Sequence, residues 1–126
     1  DPLFSTHLIP VRRGILSGIY ARVVAGTQTS DIEAAYAKYY GSYPLTKVGA
    51  LSTPNNERSD RSDLALKKVT GSARTHIRFK LTGEKLYVFS LIDNLLKGAA
   101  SQAIENFNRL HDLPVETALT ELEGLL

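Results

Sequence analysis

The segment from Leu86 to Leu110 constrains the fold most, because a strand pattern there runs directly into a helix pattern. Residues 86–92 (LYVFSLI) are apolar, rich in aromatic and β-branched side chains, and short enough for a buried strand. Apolar side chains then recur at helical spacing and make one face of a helix apolar: Ala99, Ala103, Ile104, Phe107 and Leu110. We therefore expect a strand, a polar corner at Asp93 and Asn94, and a helix.

The amino end of this expected helix is a candidate binding site. Lys97 and Gly98 lie there, and the first N–H groups of any helix lack intrahelical partners and carry a partial positive charge. Such an end is either capped by side chains of the preceding turn or receives an anion from elsewhere. The residues alone leave both interpretations open.

The remaining pattern predicts a small sheet with one more helix. Alternation favours strands at 15–24, 43–48 and 73–81, and the last of these forms a hairpin with 85–92. Ser30 and Glu33 have the spacing of a capping box for a helix through Tyr40, with Gly41 as a left-handed stop. This order predicts an α+β fold, a mostly antiparallel sheet with helices on one face.

Two further segments lie outside these elements. Residues 49–63 are polar and of mixed charge, which predicts a long loop within one domain rather than a linker between two. Leucines continue through 115–126, so we expect the carboxyl-terminal tail to pack against the domain. The second strand of the predicted hairpin, 85–92, is apolar on both faces. This pattern favours a central position in the sheet, with helices covering one face and a partner subunit the other.

Composition excludes several classes of function. A formal charge of +2 without a clustered basic face does not indicate a nucleic-acid partner, and no apolar run reaches the roughly 18 residues of a membrane span. The three histidines lack the spacing of metal ligands. With no Cys, the chain offers no thiol nucleophile, and with no Met we expect it to be part of a longer polypeptide.

Three motifs, taken together, resemble one enzyme family. Residues 93–108 (DNLLKGAASQAIENFN), 7–16 (HLIPVRRGIL) and, more weakly, 69–72 (VTGS) are similar in order and spacing to the N-acetyl-γ-glutamyl-phosphate reductases. The resemblance implies the substrate and dimerisation domain of an NADPH-dependent enzyme of arginine biosynthesis. It also implies the second-domain fold of glyceraldehyde-3-phosphate-dehydrogenase-like reductases, with residues 1–126 forming one domain and the NADP-binding Rossmann domain absent.

The same resemblance implies roles for individual residues. Asn94, Lys97 and Gly98 would line the cofactor side of a pocket, and Arg13 and His7 would lie on the substrate side. In this family a cysteine thiolate attacks the acyl phosphate and NADPH reduces the resulting thioester. The Cys, the catalytic His and the nucleotide-binding glycines belong to the upstream half of such enzymes. We therefore expect no catalytic residue in this chain and no turnover from the isolated chain.

Partners and alternatives follow from that interpretation. We expect a small acyl phosphate substrate, the nucleotide-binding domain and a second copy of the chain as partners, in a bacterial cytoplasm or a eukaryotic organelle. Related reductases of the aminoadipate or aspartate-semialdehyde type remain alternatives, as does a non-catalytic oligomerisation or binding module. One departure from the family pattern is Ala73, where such enzymes tend to have Asn after Gly71-Ser72.

Overall fold

In the computed structural model, residues 3–51, 63–121 and 123 are described. The elements, in chain order, are β1 (Ile15–Arg22), α1 (Thr29–Tyr40), β2 (Thr46–Ala50), a 3₁₀ turn (Leu66–Lys68), β3 (Thr75–Thr82), β4 (Lys85–Ile92), a π-helical turn (Leu96–Ala100) and α2 (Ser101–Leu110). Positions 52–62 of the predicted loop at 49–63 lie outside the described residues, and positions 49 and 50 belong to β2. Among the described residues, no helix combines the length and apolar character needed to cross a membrane.

The four strands form one mixed sheet in the order β1-β4-β3-β2. Strand β4 pairs antiparallel with both β1 and β3, and β2 pairs parallel with β3 at the edge. The predicted hairpin is therefore confirmed, as are the central position of β4 and the α+β class with a mostly antiparallel sheet. The register places Ile15 and Thr75 on either side of Ile92, so the start of β1 and the start of β3 both lie beside the end of β4.

One face of the sheet is covered by α1. Ile77, Phe79 and Val88 form a buried cluster, against which Ile32 and Tyr36 of the helix pack. The Tyr36 ring stacks on the Phe79 ring with a centroid separation of 5.7 Å. The apolar residues of the α1 pattern thus contribute to the core, as aromatic residues at helical spacing usually do.

The first helix differs from its predicted boundaries. It begins at Thr29, and the Asp31 carboxylate accepts a hydrogen bond from the Gln28 N–H at 2.8 Å. The predicted Ser30 and Glu33 box is wrong, because Gln28 and Asp31 form the box two residues earlier. Gly41 is right-handed, with φ of −59°, and donates its N–H to the Ala37 carbonyl, so the predicted left-handed stop is also wrong.

A second cluster connects the carboxyl-terminal region to the sheet. Leu45, Ala73 and Leu119 are buried together, with Tyr43 packed against them. The tail therefore packs against the domain at Leu119, although residues 122 and 124–126 lie outside the described part of the chain. Ala73, which departs from the family pattern, fills an apolar position in this cluster.

Helix α2 presents its apolar side to solvent. Its buried residues are polar: Ser101, Glu105 and Asn108. The opposite side, which we call the α2 stripe, consists of exposed apolar residues: Ala103, Ile104, Phe107 and Leu110. Phe107 is 55% exposed and Leu110 is 82% exposed. The sequence pattern identified the apolar face correctly, but this face is not covered by any described part of the chain.

Candidate functional site

Asp93 follows β4 directly and is fully buried, with 0% of the residue exposed. Its Oδ1 atom accepts hydrogen bonds from the N–H groups of Leu95 at 2.8 Å and Leu96 at 3.0 Å. Its Oδ2 atom accepts one from the Gly71 N–H at 2.8 Å and lies 2.9 Å from Arg13 Nη2. One carboxylate thus joins three segments that are far apart in the sequence.

The charge of Asp93 is stabilised by these contacts. Burial alone would raise the pKa of the Asp93 carboxyl, but hydrogen bonds from Gly71, Leu96 and Leu95 and the Arg13 guanidinium outweigh burial and lower the pKa below its ordinary value. The group is therefore a fixed anion at neutral pH. It also caps the helical segment, so its own carboxylate satisfies the first N–H groups that the sequence offered to an external anion.

Asn94 contacts Gly14, the residue that follows Arg13. Its Oδ1 atom accepts a hydrogen bond of 2.7 Å from the Gly14 N–H. Gly14 has a φ of +110°, which favours glycine, and a Cβ atom there would also crowd a Leu66 methyl carbon at 3.0 Å. Among the described residues, Asn94 Nδ2 has no hydrogen-bond partner, which leaves this N–H₂ group available as a donor.

Arg13 has a divided environment. Its side chain is 28% exposed, Nη2 pairs with Asp93, and Nε is buried without a hydrogen-bond partner. A guanidinium has a planar fork of donors, so pairing at one nitrogen leaves others free for a second acceptor. The three motifs of the sequence therefore meet at Asp93-Asn94: Arg13 and Gly71 both contact Asp93, and Gly14 contacts Asn94.

Lys97, by contrast, points to an internal carboxylate. Its Nζ atom lies 2.6 Å from Oε1 and 2.7 Å from Oε2 of Glu105, which is 0% exposed. Eight residues span about 2.2 turns of a regular α-helix, which would separate the two side chains around the axis. The intervening π-helical turn, with Ala100 N–H donating to the Leu95 carbonyl at 3.0 Å, changes that spacing and brings them together.

Tyr43 completes this second cluster. Its hydroxyl donates a hydrogen bond to Glu105 Oε2, and the Lys97 ammonium and the Arg109 guanidinium lie 5.6 Å and 5.3 Å from the centre of its ring. Burial, followed by the hydrogen bond to Glu105, raises the pKa of the Tyr43 hydroxyl, so it remains a donor at neutral pH. We call Tyr43, Lys97 and Glu105 the buried triad. Sequence reasoning identified Lys97 but missed Tyr43 and Glu105 as its partners.

The structure is informative about the two remaining site predictions. Gly98 donates its N–H to the Asp93 carbonyl at 2.9 Å, and a Cβ atom there would lie an ordinary 3.4 Å from that oxygen. The packing of the chain itself therefore does not require glycine at 98. His7 is exposed in the segment before β1, and none of the described contacts joins it to the Asp93 cluster.

The outer face of the sheet carries a buried histidine among cations. His76 is 8% exposed, and its Nδ1 atom is buried without a hydrogen-bond partner. Burial lowers the pKa of His76, and the positive charges of Arg78, Lys47, Lys68 and Arg74 lower it further. His76 therefore lies among cations on the face of β3 that points away from the Ile77 and Phe79 side chains.

We expect acid to destabilise the protein through His76. Because its folded pKa lies below the ordinary 6.5, the unfolded chain binds more protons than the folded chain at pH just under 6.5. Above that pH, protonation of His76 does not reduce the free energy of unfolding. As the pH is lowered towards the folded pKa of His76, the free energy of unfolding falls by up to about 1.4 kcal/mol per pH unit. Urea unfolding between pH 5 and 7 measures this slope. His76→Gln should flatten it, whereas the exposed control His7→Gln should not.

The fold and the sequence together define the class of protein. No group of three or more potential metal-ligating side chains occurs among the described residues. Residues 1–94 match the family described as the semialdehyde dehydrogenase dimerisation domain. The match covers all four strands of the described sheet and Asp93 with its contacts to Arg13 and Gly71, but not the contacts from Leu95 and Leu96. The chain belongs to this family.

Three curated relatives that the chain resembles are named as reductases. The chain is 40% identical over 125 residues to N-acetyl-gamma-glutamyl-phosphate reductase of Desulforapulum autotrophicum, which covers 98% of this chain and 34% of the relative. It is 36% identical to N-acetyl-gamma-glutamyl-phosphate reductase 2 of Lactiplantibacillus plantarum (94% and 33%) and to the reductase of Geobacter sulfurreducens (97% and 32%). The chain thus spans about a third of the length of the curated relatives it matches.

Proposed function

We propose that this chain supplies one wall of the substrate pocket, and the subunit interface, of an NADPH-dependent reductase that converts N-acetyl-γ-glutamyl phosphate to N-acetylglutamate semialdehyde. The observation that carries the proposal is the contact of Arg13 with Asp93 and of Gly14 with Asn94, at 2.9 and 2.7 Å. These contacts join the motifs shared with the reductases into one polar corner. Its partly exposed members, Arg13 and Asn94, carry donors suited to polar ligand groups.

The proposed roles can now be stated atom by atom. Asn94 Oδ1 is committed to Gly14, so Asn94 would use its Nδ2 to donate to the carbonyl oxygen of the nicotinamide carboxamide. Gly98 would leave room for the ring. Lys97 would act by fixing the π-helical turn through Glu105 rather than by offering its charge to the cofactor. Arg13 and His7 would contact the substrate.

The covalent chemistry would come from the rest of the polypeptide. Acyl transfer to a thiolate requires a Cys, which this sequence lacks, and hydride transfer requires bound NADPH. The chain's own residues would bind and orient the acyl phosphate beside that thiolate. Residues 1–126 then act as a single substrate and dimerisation domain, and the enzyme would work in the cytoplasm of a bacterium, as the bacterial relatives suggest.

Two surfaces support the proposed partners. The α2 stripe lies on the helix that follows the Asn94 corner through the π-helical turn, so the domain that brings the nucleotide to this corner would lie against the stripe. Strand β1 is an edge strand whose side chains are exposed throughout, including Ile19 at 55% and Tyr20 at 69%. An apolar edge of this kind favours pairing or packing with a second copy, as the dimerisation family implies.

The test is an assay of the full-length polypeptide that contains this chain. We expect NADPH-dependent reduction of N-acetyl-γ-glutamyl phosphate, with a clearly lower kcat/KM for the aminoadipate homologue and for aspartyl phosphate. The isolated chain should give no turnover with any of them. A full-length protein that prefers aspartyl phosphate, or that is inactive with every acyl phosphate, would contradict the proposal in favour of the related dehydrogenases or of a non-catalytic module.

A further inference from the structure

We propose that Asp93 is a positioning residue, whose buried carboxylate holds the Arg13 guanidinium and the Gly71 backbone at one point and thereby sets the shape of the pocket wall. This inference rests on the proposed function, because it assigns a purpose to the exposed part of Arg13. It concerns a residue that touches neither substrate nor cofactor and acts through its neighbours.

The first argument is the saturation of the carboxylate. Both oxygens of Asp93 accept two contacts each: Leu95 and Leu96 on one, Gly71 and Arg13 on the other, all between 2.8 and 3.0 Å. A residue that only capped the helical turn would use one oxygen. The second oxygen is devoted to two segments that lie more than 20 and about 80 residues away in the sequence. Asp93 is therefore built to fix tertiary geometry as well as a local turn.

Asp93 holds Arg13 at one nitrogen and leaves the other donors of its guanidinium without a partner among the described residues. The guanidinium is held at Nη2, it is partly exposed, and its buried Nε has no partner. Among the described residues, Asp93 is the only ion pair of Arg13. A guanidinium fixed at one nitrogen has lost most of its rotamer freedom before any ligand arrives, so a ligand that uses the remaining donors loses less entropy on binding.

The third argument is the pairing of adjacent residues. Arg13 contacts Asp93 and Gly14 contacts Asn94, so two consecutive residues of one segment are matched to two of the other. The strands behind them continue the match, since Ile15 pairs with Ile92. Arg13 is consequently placed by rigid elements on both sides. A displacement of about 1 Å at such a position can cost a hundred-fold in rate or binding.

The test uses Asp93→Asn in the full-length reductase. Asparagine keeps the size and can keep Oδ1 towards the Leu95 and Leu96 N–H groups, but its N–H₂ then faces the donors of Gly71 and Arg13. We expect the KM for the acyl phosphate to rise about ten-fold or more. The KM for NADPH and kcat should stay within about three-fold, because the Asn94 contact to Gly14 is retained. The exposed Asp112→Asn serves as the matched control and should leave all three constants unchanged.

Coupling to Arg13 separates positioning from mere stability. In an Arg13→Met background, Asp93→Asn should have little further effect on the KM for the acyl phosphate, because the side chain it positions is gone. Additive effects in the double variant, or an unchanged KM in Asp93→Asn, would overturn the inference. If Asp93→Asn does not fold, Asp93→Ser, which retains a capping oxygen, takes its place in the same comparison.

The two proposals fail in different ways. If the wild-type full-length protein does not reduce the acyl phosphate, the proposed function is wrong. If it does and the KM of the Asp93 variants is unchanged or uncoupled from Arg13, the function stands and the positioning role is wrong.

Discussion

Replacing Glu105 by Ala is expected to lower the free energy of unfolding by about 3 to 5 kcal/mol. The carboxylate is completely buried and is the common acceptor for Lys97 and Tyr43. Its removal leaves an ammonium group that is 13% exposed without a counter-charge, and a tyrosine hydroxyl without an acceptor. Removing one partner of a buried ion pair costs much stability, because the other charge stays buried without compensation. Replacing both partners by apolar residues of similar volume costs far less. Urea unfolding followed by circular dichroism measures the change.

Two variants show whether the loss arises from the buried triad. Asn106→Ala lies on the same helix next to Glu105, is exposed, and should change stability by less than about 0.5 kcal/mol. The double variant Lys97→Met with Glu105→Leu removes both charges and should recover most of the loss, since the desolvation cost disappears with them. A Glu105→Ala protein as stable as Asn106→Ala would show that water reaches Lys97 and that the triad contributes little.

Much of this fold follows from local pattern. The hairpin of β3 and β4 was predictable because both strands alternate or are uniformly apolar, and because Gly83, with φ of +58°, permits a tight turn. The central position of β4 followed from its apolar character on both faces. Helix boundaries were less predictable, since Gln28 and Ser30 both precede acids at the same spacing and only the observed backbone selects Gln28.

Most residues of the candidate site could be predicted from the sequence, but the contacts between them could not. The motifs pointed to Arg13, Gly71, Asn94 and Lys97, yet the sequence alone does not tell which strand lies beside which. The contact of Gly14 with Asn94 depends on β1 pairing with β4, a long-range choice that periodicity does not encode. Glu105 was missed because a glutamate on an amphipathic helix normally faces water. Its burial depends on the π-helical turn and on Tyr43 from a distant segment.

The reversed orientation of α2 has the same origin. Periodicity identifies which face of a helix is apolar, but burial depends on what surface is present to cover that face. In the described chain the polar face is occupied by the triad and by Asn108, whose Nδ2 donates to the carbonyls of Val115 and Thr117 at 3.1 and 3.0 Å. The α2 stripe is exposed in the described part of the chain, and under the proposed function the nucleotide-binding domain would cover it.

We therefore expect the double substitution Ile104→Lys with Phe107→Lys to have different effects in the isolated chain and in the full-length polypeptide. In the isolated chain the stripe is exposed, so stability should change little, and concentration-dependent self-association should decrease because an apolar patch is removed. In the full-length polypeptide the same residues would be buried against the nucleotide-binding domain. The loss of two large apolar contacts and the burial of two charges should destabilise the protein by about 4 kcal/mol or more. NADPH-dependent activity should fall more than ten-fold as the domains separate.

The measurement compares thermal unfolding, activity and sedimentation for both lengths of protein, with Asn106→Lys as the matched control. Asn106 is exposed on the same helix but outside the α2 stripe, so its lysine variant should resemble wild type at either length. Full-length protein that tolerates the two lysines would show that the nucleotide-binding domain lies elsewhere. Loss of self-association in that same protein would then identify the stripe as a contact between copies. The outcome matters for the corner at Asn94, because α2 follows Asn94 through the π-helical turn, so a domain docked on the stripe would lie against the element that continues from this corner.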